Sequence, residues 1–389
     1  MSREAVIVTA VRTPIAKYGG SLSKFKDYEL AGIVIKEAVE RSGIDPKLID
    51  DVYFGNAEGM PGDVARIGLL EAGLPLEIPG ATVDRQCASG LETIRIATAM
   101  IQSGMGDVFV AGGVEAESTN PWFVEKTKRP YSYMPPEFTY VRMSPPKVGD
   151  PPMGDTAENV LDQYKSITRE DMDKFAYESH QRSLKAIADK KFVDQIVPVT
   201  YKSRGKEVIF SQDESPREET NLEQLSKLRP IFRKDGEVTA GNSCPQNDGA
   251  AAVVIMSKEK ADELKLPYML IPKAFTAVGL EPHVMGLGPI YAVRKLVEKT
   301  RIKMDDVEII ELNEAFASQS LACINELKLD IDRVNPNGGA IALGHPLGAT
   351  GTVLTVKLAH AMKDAKRKYG IVTMCIGGGQ GAAALFERP

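Results

Sequence analysis

Cysteine is scarce in this chain and never paired. Its four residues, Cys87, Cys244, Cys323 and Cys375, are scattered through 389 positions without one Cys-x-x-Cys. That pattern argues against a zinc site and a secreted disulfide framework, and fits free thiols in a reducing cytoplasm. No run of about 18 apolar residues is present to span a membrane. The opening segment through Ala10 is too short and too strand-like for a signal peptide. No long basic block exists. The densest run, Lys363 to Lys368, falls at an expected helix end, and the net charge is -5, so nucleic acid is not an expected partner. The glycine-rich stretches lack Gly-Lys-Ser/Thr, which excludes a P-loop.

What is present is an ordinary globular composition, 43% hydrophobic and 26% charged. A chain of 389 residues implies two or three domains, with a core large enough to need no disulfide or metal staple. Ala5 to Ala10 reads as a buried strand. Tyr28 to Ser42 has helical spacing stopped by Gly43, and Ile49 to Gly55 returns as strand. After Asp84-Arg85-Gln86-Cys87-Ala88-Ser89-Gly90, the residues Leu91, Ile94, Ala97, Thr98 and Ile101 form one helical face, closed by Gly104. Asp107 to Gly113 is another buried strand. This alternation implies parallel βα units in one sheet.

Composition changes near Asn120. Eight of the 24 prolines lie between Pro121 and Pro152, with Trp122, Tyr131, Tyr133, Phe138 and Tyr140 among them. Long irregular segments in compact proteins are functional or disordered, and the aromatics point to an ordered lid. Thr168-Arg169-Glu170-Asp171 resembles a capping box opening a helix through Ile187. Phe192 to Phe210 reads as a strand pair turning at Ser203-Arg204-Gly205, and Asp213 to Thr220 as a solvated acidic loop. The expected organisation is 1–119 with 246–266 as one half, 120–245 as an insertion, and 267–389 as a second half. The halves echo each other. The helix and strand from Gly90 to Gly113 are matched by Gly351 to Gly378, an offset of roughly 260 residues that suggests a duplicated α/β domain. Duplication about a pseudo-twofold axis would bring two helix N-termini toward one place.

Three stretches could carry chemistry. Cys87 sits at an expected helix start, where the positive helix end and backbone N–H groups favour a thiolate over an ordinary thiol titrating at about 8.5. The competing reading is a small buried hydrophobe. His345 is pinned between Gly344 and Pro346 in a glycine-rich loop that runs from Asn335 to Gly351 and leads into a buried helix from Val353 to Ala359. It is either an aimed imidazole or an incidental histidine in a tight turn. Cys375 ends a buried strand at Gly377-Gly378-Gly379, as a reactive group or a core thiol. Asn313 could hold a water or a carbonyl and Glu314 could orient a histidine; an asparagine helix cap is the alternative. Together two thiols, an imidazole and an amide can attack an acyl carbonyl and move a proton at carbon, with donors for the oxyanion.

These pieces resemble the thiolase family along essentially the whole chain. The carrying motifs are Asp84 to Gly90, Asn313-Glu314-Ala315-Phe316-Ala317, Asn337 to Pro346, and Cys375-Ile376-Gly377-Gly378-Gly379. The resemblance implies an α/β fold of five layers, αβαβα, from two similar halves with an inserted loop domain. It implies a homodimer or homotetramer. It also implies an acyl-CoA:acetyl-CoA C-acyltransferase that works by ping-pong catalysis through an acyl-cysteine, with coenzyme A as substrate and no cofactor or metal. By the same resemblance Cys87 is the nucleophile, His345 its base, and Cys375 the acid/base at the α-carbon of acetyl-CoA. Asn313 with His345 forms one oxyanion hole through a water, and the N–H groups of Cys87 and Gly377 form another. Met153, Met285 and Phe316 line the acyl pocket, and Arg217 lies near the CoA adenine.

The chain departs from the family pattern in four places, one of them the Pro-rich stretch before Met153, which is unlike the usual tetramerisation segment and leaves dimer or tetramer open. Cys244 stands where the family has a serine facing the pantetheine. Pro152 precedes Met153 where acetoacetyl-CoA thiolases carry histidine, which favours a degradative enzyme of the fatty acid β-oxidation type over one specific for acetoacetyl-CoA. Asp84 replaces a common asparagine. A condensing enzyme fed by a carrier protein is disfavoured by Cys375, and a non-catalytic acyl-CoA-binding protein by the completeness of the set.

Overall fold

Strand Ala5–Arg12, with the short strand Ala16–Lys17 after it, forms one edge of a six-stranded sheet, and both pair antiparallel with Asn247–Ser257, which pairs antiparallel with Val108–Ala116. Val108–Ala116 runs parallel to Asp51–Gly55, and that strand parallel to Gly80–Val83 at the other edge. A second sheet repeats the pattern: Ile271–Gly279, Gln380–Glu387 and Tyr369–Ile376 are successively antiparallel, and Ile309–Leu312 is parallel to the last. The repeat visible in the sequence is thus a repeat of topology. The computed structural model describes every residue except 1–2, 60–61, 128, 130 and 132–134. Tyr133 lies outside the described residues.

Between the sheets lie two helices, Ser89–Ser103 and Leu347–Ala365. The second is buried on every side from Gly348 to Met362, so it shows no polar face. It starts six residues earlier than the sequence suggested, directly after Pro346. The prolyl ring supplies the fixed φ suited to a helix start, and the glycines read as loop lie inside the first turns. They are there for contact: a Cβ on Gly351 would come 2.3 Å from Leu91 N, and one on Gly90 2.5 Å from Thr352 Oγ1. Thr352 Oγ1 donates to Gly90 O at 3.0 Å. The two helix N-termini therefore meet, as the duplication predicted. One hydrophobic cluster fills this middle layer. Two more lie outside the sheets, the first beneath helices Asp27–Ser42 and Val64–Glu71, the other beneath Gly288–Thr300.

The described residues of 120–245 include regular elements. They hold a short hairpin of Phe123–Val124 with Phe138–Thr139, helices Met153–Gln163 and Arg169–Ala188, and the hairpin Val199–Ser203 with Lys206–Phe210, which turns at Arg204 and Gly205. The Thr168 and Asp171 capping box is present. The acidic loop is a correction: Asp213 is buried and not solvated, and accepts from Arg12 Nη1 at 2.6 Å and Nη2 at 2.8 Å. Arg12 is wholly buried, so the pair pins the region to the first sheet, and removing one partner of such a pair costs about 3–5 kcal/mol. Among the described residues no helix is long and apolar enough to cross a membrane.

Candidate active site

Cys87 lies in a one-turn helix, Gln86–Ala88, that joins strand Gly80–Val83 to the middle-layer helix. The turn fastens itself. Asp84 Oδ1 accepts from Gln86 N at 2.7 Å, which gives that residue a structural role, and Ser89 Oγ accepts from Arg85 N at 2.8 Å while donating to Gln86 O at 2.6 Å. Gln86 takes φ 47°, a left-handed conformation rare for a side-chain-bearing residue. The thiol of Cys87 receives the backbone N–H of Gly377 and its own N–H. These favour the thiolate, yet burial outweighs them and, with the carboxyls of Glu58 and Glu115 adding, pushes the thiol up to about 11. The helix-end argument therefore fails on its own here. The sulfur is buried, and desolvation of its anion exceeds what two donors return.

His345 is placed from both sides. Its N–H donates to Asn247 Oδ1 at 3.0 Å, and Gly344, at φ 110°, lies so close that a Cβ would come 2.5 Å from the Asn247 amide. Nδ1 lies 2.7 Å from Thr350 Oγ1, whose proton goes to Pro346 O at 2.8 Å. The hydroxyl must then accept from Nδ1–H, leaving the Nε2 lone pair as the base. Nε2 faces Asn313 Nδ2 at 3.4 Å. Burial drives the imidazole down to about 4, so it is neutral at pH 7.

Glu314 does not orient this histidine. It accepts from Ser179 Oγ at 2.6 Å, Asn335 Nδ2 at 2.8 Å and Ile341 N at 3.2 Å, fastening the loop one layer further back. Nor is Asn313 a helix cap, since the next helix begins at Ala317 with Phe316 before it. Asn313 is fully buried on N–H to Thr373 O at 3.0 Å, and its Oδ1 has no partner among the described residues. That leaves an acceptor aimed beside the imidazole.

Cys375 is fully buried at the end of Tyr369–Ile376. Burial holds its thiol well above the usual range, and the sulfurs of Cys87, Cys323 and Cys244 push it further. Gly378 and Gly379, at φ 78° and 81°, make the turn beyond it. A Cβ on Gly377 would lie 2.3 Å from Met143 Sδ, so a side chain of the lid rests on the residue that donates to Cys87. Cys244 N donates to Ala315 O at 3.0 Å, and its thiol is raised by burial, then by Cys87 and Glu117. Cys323 donates to Gly286 O at 3.5 Å in the outer core.

Of the pocket residues expected from sequence, Met285 and Phe316 belong to the outer core of the second sheet, with Phe232 edge-on to Phe316 at 6.1 Å. Met153 opens helix Met153–Gln163 and lines a cavity of about 500 Å³ beneath the lid. Arg217 lines a separate cavity of about 300 Å³ with Lys17, Tyr18, Ser243 and His180. Arg217 N donates to His180 Nδ1 at 3.3 Å, and burial lowers that imidazole to about 4. Sequence reasoning missed Thr350, Asn247, Met143 and Lys357. Lys357 Nζ bonds Glu311 Oε2 at 2.7 Å and Gly338 O at 2.6 Å, inside the protein, and so holds the histidine loop from behind. Only the Thr350 spacing, five residues past His345 at a helix start, carried a signal. Among the described residues no three His, Cys, Asp or Glu side chains stand together as metal ligands.

The arrangement combines a buried thiol within two N–H donors, a neutral base of fixed tautomer, an open amide acceptor and a second thiol. Family models described as thiolase, N-terminal domain and thiolase, C-terminal domain match residues 5–259 and 267–388. The chain is 45% identical to a 3-ketoacyl-CoA thiolase of Bacillus subtilis, over 99% of both sequences. It is 42% identical to a beta-ketoadipyl-CoA thiolase of Pseudomonas aeruginosa, over the full length of both. The crystal structure of the Bacillus anthracis acetyl-CoA acetyltransferase superposes with a TM-score of 0.95 at 42% identity, over 100% of this chain and 99% of that one.

Proposed function

The chain belongs to the thiolase family of acyl-CoA acyltransferases, and we propose on that footing that it thiolyses 3-oxoacyl-CoA in the degradative direction, as in fatty acid β-oxidation. The observation that carries this reading is the buried Cys87 thiol bonded by the N–H groups of Cys87 and Gly377, with the buried Cys375 thiol near enough for the two sulfurs to act on each other electrostatically. His345 Nε2 takes the thiol proton as sulfur attacks the 3-oxo carbon. The imidazolium so formed has an Nε2–H to give, and with a water on Asn313 Oδ1 it makes one oxyanion hole. The C2–C3 bond breaks, and the acetyl-CoA enolate takes a proton at C2 from Cys375. The CoA thiol gives its proton to the Cys375 thiolate and attacks the acyl-Cys87 thioester, and the Cys87 thiolate that leaves takes back the proton held by His345, releasing an acyl-CoA two carbons shorter. The N–H groups of Cys87 and Gly377 receive the oxyanion of the second thioester. Each such donor contributes about 3 kcal/mol to the barrier.

The pantetheine arm runs past Cys244 and the nucleotide toward Arg217, with the acyl group against Met153, Met285 and Phe316. The division into 1–119 with 246–266, 120–245 and 267–389, a homodimer or homotetramer, a cytoplasmic site and CoA as the sole auxiliary molecule belong to this reading. Support for a broad chain length comes from Pro152 before Met153 and from the cavity at Met153. The test is thiolysis by the purified protein with CoA and 3-oxoacyl-CoAs of increasing length, beside Cys87→Ala. Activity that persists or rises with length supports the degradative reading. Activity confined to acetoacetyl-CoA moves the assignment to an acetyl-CoA C-acetyltransferase, and no Cys87-dependent turnover on any length removes it.

A further inference from the structure

The cavity of about 300 Å³ at Lys17, Ser215 and Arg217 is joined to the catalytic histidine by one side chain, the amide of Asn247. Asn247 is fully buried. Its Nδ2 donates to Ala16 O at 2.9 Å and to Ser215 Oγ at 3.2 Å, and its Oδ1 accepts from His345 N at 3.0 Å. Ser215 is a buried residue of the cavity wall, and Ala16 precedes Lys17 in the short strand that pairs with Asn247. The amide cannot turn over, because a flip would set its carbonyl against Ala16 O and its NH2 against the His345 N–H. The histidine side has no slack either, since a Cβ on Gly344 would come 2.5 Å from the amide carbon. Ser215 is itself held between two fixed points. Two residues before it, Asp213 accepts from Arg12 and from Ile15 N at 2.9 Å. Two residues after it, Arg217 N donates to His180 Nδ1 at 3.3 Å. The Lys17 and Arg217 side chains are exposed, so an anionic ligand reaches them from solvent.

Binding energy from a part of the substrate that does not react raises kcat only when it is spent on placing the groups that do. Two buried hydrogen bonds, Ser215 to Asn247 and Asn247 to His345, offer a route for that. We propose that Asn247 is a positioning residue through which the nucleotide end of CoA acts on the base. Filling the Arg217 cavity restrains Ser215, the Asn247 amide carries the restraint to the His345 backbone, and the imidazole is held in place for proton transfer from Cys87. The inference rests on the thiolysis reading above, which sends the nucleotide toward Arg217. The bond to Ser215 is the longest of the three that the amide makes, so it is the one a filled cavity has room to tighten. The cavity then contributes to kcat as well as to affinity. A thioester without the nucleotide meets the same Cys87 and His345, but a less firmly placed base.

The test is acylation of Cys87 in the full-length protein by 3-oxohexanoyl-N-acetylcysteamine, a thioester without nucleotide, read by rapid quench and mass measurement. It is run with and without adenosine 3′,5′-bisphosphate, whose binding is measured separately by calorimetry. The bisphosphate should raise the rate at saturating thioester by about fivefold to tenfold, the weight of one hydrogen bond, and leave the half-saturating concentration unchanged. Ser215→Ala keeps Lys17 and Arg217 and removes the acceptor for Asn247. It should still bind the bisphosphate, while the activation falls to about one. A packing defect at Ser215 would instead slow both rates alike and leave their ratio as it was. Arg217→Ala should need more bisphosphate to reach the wild-type plateau, which separates affinity from placement. A wild-type rate that does not rise, whether or not the bisphosphate binds, overturns the inference and leaves thiolysis standing. Equal activation in Ser215→Ala and wild type does the same. No acylation of Cys87 by this thioester and none by 3-oxohexanoyl-CoA overturns the thiolysis reading itself and takes this inference with it.

Discussion

Thr350 Oγ1 lies 2.7 Å from His345 Nδ1 and gives its own proton to Pro346 O at 2.8 Å, so one hydroxyl decides which imidazole nitrogen carries hydrogen. Replacing it by valine keeps shape and removes the acceptor. The buried ring then favours the other tautomer, with the proton on the nitrogen that must receive one. Thr350→Val should slow the burst of Cys87 acylation by at least about tenfold, the weight of a hydrogen bond to a catalytic group, while Thr350→Ser restores it. Equal bursts in all three proteins would show that Thr350 plays no part in the tautomer.

The resting pair is uncharged. Burial holds His345 at about 4 and Cys87 at about 11, so at pH 7 the proton is on sulfur. A base depressed below its usual 6.5 stays available as pH falls until about 4, and the acid limb of kcat/KM should lie there and not near 6.5. Alkylation of Cys87 by iodoacetamide should climb with pH beyond 9 with no plateau at neutrality, because the thiolate fraction is still rising. A plateau between pH 6 and 8 would mean a preformed thiolate–imidazolium pair and would contradict the desolvation argument.

Much of the site was legible because its residues sit in short motifs where local chemistry and tertiary role coincide. Gly90 and Gly351 could be paired by the internal offset, and they do meet, through Thr352 Oγ1 on Gly90 O. Cys87 and Cys375 stood out because glycines follow them. What escaped was set by burial and long-range contact. The helix after Pro346 is buried all round, so it carried no periodicity to mark its first turn. Asp213 looked solvated because its partner Arg12 is 201 residues away. The helix end at Cys87 is visible in sequence, whereas the burial that raises its thiol comes from residues far along the chain.

Lys357 and Glu311 form a buried ion pair 2.7 Å apart, and the same ammonium holds Gly338 O at 2.6 Å. Lys357→Met strands the carboxylate, whose Oε1 lacks a partner among the described residues, and should cost about 3–5 kcal/mol in urea unfolding. The double variant Glu311→Leu with Lys357→Met removes both charges and should recover most of that loss. Its kcat should remain low, because nothing then ties the Gly338 carbonyl of the histidine loop to the helix. Recovery of stability and kcat together would show that the ion pair serves packing alone.

Gly377 and Met143 set the last test, because a clash between them can be made and then relieved. A Cβ on Gly377 would fall 2.3 Å from Met143 Sδ, and Gly377, unlike Gly378 and Gly379, needs no left-handed φ. The cost of Gly377→Ala therefore lies in the contact and not in the backbone. The atoms met belong to the flexible Met143 side chain, which can turn aside, so the stability cost should be small, at most about 1 kcal/mol, while any displacement of the Gly377 N–H from Cys87 should lower kcat. Met143→Ala in the same chain makes room for the new methyl group, so the double variant should turn over faster than Gly377→Ala alone. If Met143→Ala instead worsens the alanine variant, the N–H is held by the lid and not by the strand, and the turn after Cys375 is not the rigid donor that the mechanism requires.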